Sequence, residues 1–332
     1  MSSSKTILVA AAVAAAVLIC VSGALADVVM ETVAVGNPGN PGEWSGESYG
    51  GTGSDAIVGN VNYTYNVGRY EVTAGQYCEF LNAVAGDDTY GLYHGSMWFS
   101  TSGCKIQQNG SSPNYTYSVD PDWADRPVNF VSWGDAARFA NWMHNGQGDG
   151  DTEDGSYFLD GAMTDAELMV ITREADATWV IPSEDEWYKS AYHYNDDVTG
   201  NYFDYPTSSD IFPSNDLDLG GNNATYHDGD YTIGSPYYRT EVGAHQNSES
   251  PYGTFDQGGN VWEWNETAIG SYRGLRGGSY GPYGDYLHAA DRVRHYPTYE
   301  VTFVGFRIAE VPEPATLVLL AFASLLVVSR RR

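Results

Sequence analysis

The chain has 332 residues, with 43 acidic against 16 basic side chains and a formal net charge of -27. Its 26 Tyr, 11 Phe and 9 Trp supply enough apolar area to offset chain entropy, which excludes a disordered polypeptide and predicts a packed core. The charge excludes electrostatic attachment to nucleic acid or anionic lipid and makes cations the expected partners.

In chain order, Lys5 precedes an apolar stretch from Ile7 to Val21, and Ala24-Leu25-Ala26 has the small-x-small pattern cut by signal peptidase. Residues 1–26 read as a signal peptide, so the chain from Asp27 onward is expected to be exported. Residues 27–310 contain neither a fixed-period repeat nor a Pro/Ser linker and read as one domain. Within it, Tyr63, Tyr65 and Val67 alternate with polar residues as a strand does, and Tyr70-Glu71-Val72 is expected to run in β form into a helix. Capping-box spacing of Thr73 and Gln76, with Tyr77, Phe80, Leu81 and Val84 on one face, predicts that helix. Ser132 and Asp135 announce a second, with Ala136, Phe139, Ala140 and Met143 as its stripe. Thr178 to Ile181 reads as a short strand. Ser183 and Glu186 then cap a third helix, which turns Trp187 and Ala191 inward and sets Tyr188 and Tyr192 on its flank. Cys78 and Cys104 are either one disulfide of an exported protein or two buried thiols.

The segment from Tyr252 to Trp264 carries the densest chemistry. Asp256 and Glu263 bring two carboxylates to what reads as a turn, and Gly258 and Gly259 let main-chain carbonyls swing inward. Calcium takes six to eight oxygens and accepts carbonyls as readily as carboxylates. The bland alternative is an acidic turn beside two core tryptophans, Trp262 and Trp264. Arg276 and Arg307 read either as grips for a substrate carboxylate or as buried partners of Asp or Glu. His288 and His295 read as surface histidines. The Tyr-rich stretches Tyr90 to Trp98 and Tyr226 to Tyr238 offer aromatic platforms for sugars, or loop packing.

Six ordered motifs resemble the formylglycine-generating-enzyme (sulfatase-modifying factor) family: Tyr70-Glu71-Val72-Thr73, Arg126 to Trp133, Ile181 to Trp187, Gly258 to Trp264, Leu275 to Tyr280 and Gly305-Phe306-Arg307. The resemblance runs from about Met30 to Ala309. It implies an α+β, C-type-lectin-like fold with little regular secondary structure and bound calcium as its cofactor. Position by position, it implies that Asp256 and Glu263 give side-chain oxygens, and Gly259 and Val261 give carbonyls, to one calcium ion. For a second ion it implies Asn223 and the Ala224 carbonyl, with Asp228 or Asp230 as the acid.

The family's oxidase activity rests on two copper(I)-binding cysteines shortly after the Gly-Gly-Ser motif. Copper(I) is soft and requires sulfur. Residues 281–295 contain no cysteine, and Pro282 and Leu287 stand where the pair is expected. The sequence thus predicts an exported module that binds glycan or peptide, or builds the extracellular matrix, stabilised by calcium and without copper. The alternative is a metal-dependent oxidase or oxygenase acting on a peptide or small thiol.

Pro312-Glu313-Pro314, the apolar run from Ala315 to Ser329 and Arg330 to Arg332 resemble the PEP-CTERM sorting signal of Gram-negative bacteria. As a helix the run spans about 22 Å, short of the roughly 30 Å hydrocarbon core, which makes residues 311–332 a short transmembrane segment and a transient anchor. The resemblance implies an exosortase as processing partner and delivery to the cell surface or extracellular matrix.

Overall fold

The fold comes from a computed structural model that describes residues 27–46, 55–217, 220–281 and 283–312. The expected signal peptide and the apolar C-terminal run lie outside the described residues. The principal strands are β1 (Thr32–Val35), β2 (Tyr65–Gly68), β3 (Trp179–Val180), β4 (Trp262–Ile269), β5 (Tyr272–Arg276), β6 (Val293–His295), β7 (Val304–Gly305) and β8 (Ala309–Glu310). The principal helices are α1 (Ala74–Val84), α2 (Trp133–His144) and α3 (Glu184–Tyr192). Short hairpins and helical turns fill the connections.

Each helix starts where its cap dictates. Thr73 Oγ1 accepts the Gln76 amide at 3.2 Å while Gln76 Oε1 accepts the Thr73 amide at 2.9 Å. Ser132 with Asp135 and Ser183 with Glu186 close the same reciprocal boxes. The predicted stripes face inward: Tyr77, Phe80 and Leu81 of α1 meet Phe139 and Trp142 of α2, and Phe306 closes the cluster with its ring 5.4 Å from Phe139. Tyr188 and Tyr192 are buried rather than flanking, because the Tyr202 ring packs at a tilt against Tyr188 at 5.5 Å and the Leu287 carbonyl takes the Tyr192 hydroxyl.

Two four-stranded sheets frame the domain, in orders β1-β2-β8-β3 and β6-β5-β4-β7. In the first, Ala309 of β8 pairs with Val67 on one side and Val180 on the other, so the end of the domain is an interior strand. In the second, β4 and β5 form a hairpin with an irregularity between Trp264 and Ala268, and β7 lies parallel to β4. Glu263, read from sequence as part of a turn, is therefore the second residue of the longest strand. Tyr70-Glu71-Val72 is not a strand. It crosses between two segments, with the Val72 amide bonded to the Phe306 carbonyl and the Val72 carbonyl to the Val128 amide, and one bond to each side builds no ladder. Cys78 and Cys104 are free and buried.

Candidate functional site

The loop ahead of β4 is wound tightly. Asp256, Gly259 and Asn260 all have positive φ, and a Cβ at Gly259 would sit 2.2 Å from the Thr225 carbonyl oxygen, so only glycine permits that approach. A parallel bridge between Thr225 and Gly259, with the Asn260 amide 2.9 Å from the Thr225 carbonyl, lays Asn223 and Ala224 beside this loop. The residues expected at two calcium sites thus fall on two adjoining segments. Their donors are unequally engaged. The Asn223 amide donates to Ser248 Oγ at 2.9 Å, and the Ala224 carbonyl accepts from Thr232 Oγ1 at 3.3 Å. Asp228 and Asp230 lie exposed on a two-residue hairpin.

Glu263 is fully buried and committed. Arg307 Nε and Nη2 donate to its two oxygens at 2.5 and 2.6 Å, and Trp187 Nε1 adds a third bond at 2.6 Å. The same guanidinium reaches the Gly68 and Phe255 carbonyls at 2.9 Å, tying β2 and the loop to β4. Burial works against the Arg307 charge, but Glu263 overrides it and holds the guanidinium above its ordinary pKa. Arg276 is equally internal: it shares Glu184 with Arg292, at 2.7 and 2.6 Å. Both arginines are structural.

The opposite condition holds at Asp256 and Glu71. Asp256 accepts the Gly243 amide at 2.6 Å, and burial pushes its carboxyl up to about 6. Glu71 is 1 % exposed and neither of its oxygens has a hydrogen-bond partner. Burial, then the charges of Asp256 and Glu263, holds it well above the usual carboxylate range. A carboxylate buried without a donor is costly unless it is protonated or meets a cation. Sequence reasoning placed Glu71 in a strand and missed it as a donor. Its signal was its place in a motif immediately before a helix cap. As a calcium donor set, Asp256 and Glu71 fit, whereas the oxygens of Glu263 already serve Arg307 and Trp187. No group of three or more His, Cys, Asp or Glu side chains is arranged to hold a metal among the described residues.

Leu287 is fully buried among Tyr205, Ala224 and Tyr226, and Pro282 lies outside the described residues. Beside this segment opens a cavity of about 320 Å³, lined by Trp262, Leu275, Ser279, Gly281, Tyr283, Tyr286, Val293, His295, Tyr299 and Phe303. Its rings are braced against one another. Trp262 and Tyr286 lie 5.2 Å apart, Tyr283 and Tyr286 meet edge-on at 5.9 Å, and His295 stacks on Tyr299 at 3.3 Å. Burial lowers the His295 pKa and favours its neutral form. The lining therefore includes no carboxylate, guanidinium or thiol. Tyr283, 68 % exposed, stands at the mouth. A separate row of rings joins Tyr280, Tyr238 and Tyr231, at 5.7 and 5.0 Å. Of the two Tyr-rich stretches, the first packs, with Tyr90 under Arg138 and Tyr93 bonded to the Ile106 carbonyl, whereas the second supplies Tyr231 and Tyr238 to that row.

Residues 52–311 match the sulfatase-modifying factor enzyme 1-like domain, and residues 310–332 match the PEP-CTERM protein-sorting motif. No curated protein matches the sequence. Among solved structures the chain is similar to CarF, with a TM-score of 0.53 and 19% identity over 86% of this chain and 99% of that one. It is also similar to Treponema denticola variable protein 1, with a TM-score of 0.51 and 19% identity over 87% and 97% of the two chains. The fold is the C-type-lectin-like one that the motifs imply, mixed in helix and sheet with limited regular structure. The sorting motif points to export and cell-surface association in Gram-negative bacteria, with an exosortase as the processing partner.

Proposed function

This chain belongs to the sulfatase-modifying factor enzyme 1-like domain family, and from that premise we propose that it acts at the cell surface as a binding module whose aromatic cavity takes the ring or aliphatic part of a neutral peptide or glycan. One observation carries the proposal: the cavity beside the Gly-Gly-Ser segment is lined mainly by aromatic faces, with no carboxylate, guanidinium or thiol among its lining residues. Aromatic rings held rigid by their neighbours offer large contact area at little entropic cost. Only the Ser279 hydroxyl, the tyrosine hydroxyls and neutral His295 remain to orient a polar ligand.

The module is braced by calcium held between Asp256 and Glu71, with the Gly259 and Val261 carbonyls completing the oxygen shell. Two buried carboxyls held above their ordinary pKa support this reading, since a hard divalent cation would favour the charged form of both. Arg307, already engaged with Glu263, fixes the strand on which that loop is wound.

The test is a glycan and peptide array probed with residues 27–312 and with the Tyr283→Ala and Tyr299→Ala variants. Saturable binding that both variants lose, at unchanged melting temperature, is the expected result. Binding indifferent to both, or absent, removes the proposal. Incubation with copper, oxygen and a cysteine-containing peptide separates the oxidase alternative, because aldehyde in the product would overturn the binding-module reading.

A further inference from the structure

The folded domain stops abruptly at its C-terminal side. β8 is clasped between β2 and β3, and Val311 beyond it is still 8 % exposed, with its amide 2.8 Å from the Thr178 carbonyl. Only Pro312, Glu313 and Pro314 then precede the apolar run that begins at Ala315. Fully extended, three residues reach about 10 Å. A groove of about 420 Å³ surrounds the exit, lined by Thr64, Tyr65, Asn66, Thr178 and Glu310 together with the exiting residues themselves. Glu310 is its one charged side chain, and Asn66 Nδ2 donates to it at 2.9 Å. In a chain of net charge -27, a rim of hydroxyls and amides at this point is a departure from the prevailing surface.

We infer that, while the chain still carries its C-terminal segment, this groove is seated on the headgroup layer of the bilayer that receives residues 315–329. The inference rests on reading those residues as membrane-inserting. The short connection leaves the domain no room to tumble away from the surface. With Glu310 as the groove's one carboxylate, and that one bonded to Asn66, this face can settle where a carboxylate-covered face would be repelled by phosphate groups and by its own desolvation. The exposed Thr64 hydroxyl can exchange water for phosphate and glycerol oxygens at little net cost. The docked face is therefore fixed by the fold: the end of the β1-β2-β8-β3 sheet lies down, and the rest of the domain points away.

The experiment uses residues 27–332, the chain without its expected signal peptide, with Thr64→Cys, in phosphatidylcholine vesicles containing headgroup spin-labelled lipid. Thr64 is exposed, and the native thiols Cys78 and Cys104 are buried, so a fluorophore attaches at the groove alone. Strong quenching of that fluorophore is expected. It should be lost when a Gly/Ser linker of about 10 residues, with an r.m.s. span of roughly 16–19 Å, is inserted after Pro312. A chain that floats with the vesicles yet is unquenched, or is quenched equally with the linker, overturns the seating alone. A chain that does not float at all overturns the membrane reading of the C-terminal run and the seating with it.

Discussion

Replacing Asp256 by Asn separates a cation-braced carboxylate from one that is merely buried. The Asn side chain keeps an oxygen for the Gly243 amide, so the 2.6 Å hydrogen bond is retained and only the charge is removed. Burial raises the folded-state pKa of Asp256 to about 6 from 3.8. A carboxyl raised in this way contributes its full stability below pH 3.8, and the contribution is lost as pH rises through about 6. At pH 7.5 without divalent ions the charged aspartate thus costs about 3 kcal/mol relative to a neutral isostere. Asp256→Asn should accordingly raise the melting temperature in a chelator by roughly 6–12 °C, and the gain should fade as pH falls from about 6 to about 4. In millimolar calcium the order should reverse. An ion at 1,000 times its Kd adds about 4.1 kcal/mol to the wild-type fold, more than the deficit of about 3 kcal/mol, and the variant forfeits most of it. Scanning calorimetry of residues 27–312 at four combinations of chain and ion reads both signs. A variant less stable than wild type in chelator, or a wild type indifferent to calcium, would refute the reasoning.

The interior carries two further expectations. Glu263→Leu strands the Arg307 charge and should cost about 3–5 kcal/mol in urea unfolding, while the Glu263→Leu/Arg307→Met pair should recover part of the loss. Strict additivity of the two single changes would show that the ion pair is not the unit. Burial pushes the Cys78 thiol up to about 12 and raises Cys104 as well, so native residues 27–312 should be inert to a thiol reagent at pH 8. Both should react once the chain is unfolded without reductant. No reaction after unfolding would mean a disulfide.

The helices were legible because their instructions are local. A hydroxyl three residues ahead of an acid or amide, followed by apolar residues three and four apart, specifies α1, α2 and α3 without reference to the rest of the chain. The β4-β5 hairpin had a signal too. Gly270-Ser271 between Trp262–Ile269 and Tyr272–Arg276 is a two-residue turn of the kind that joins antiparallel strands, but the polar Asn265-Glu266-Thr267 stretch hid the alternation. Glu71, Asp256, Glu263 and Arg307 were visible as motif residues and illegible as a network. Which carboxylate meets the guanidinium and which is left without a donor depends on contacts between segments far apart in the chain. Local pattern contains nothing that distinguishes Glu71 from Glu263.

The distribution of positive charge connects these observations. None of the described Lys or Arg residues is exposed, and Arg126, Arg138, Arg239, Arg273, Arg276, Arg292 and Arg307 are buried. The arginines act as internal clasps. Arg173 joins Glu186 to Glu266, Arg276 and Arg292 share Glu184, and Arg307 joins Glu263 to two distant carbonyls. A chain short of regular structure needs such multidentate links, because one guanidinium can fix three segments whose backbones make few bonds to each other. Spending the cations inside leaves the outer surface more uniformly acidic than the composition alone suggests. It also makes the framework independent of the cavity, since none of these arginines lines it. Side chains around Tyr283 and Tyr286 can therefore change without loosening the clasps. That independence lets a sulfatase-modifying-factor-like scaffold keep its shape while the lining of the cavity varies.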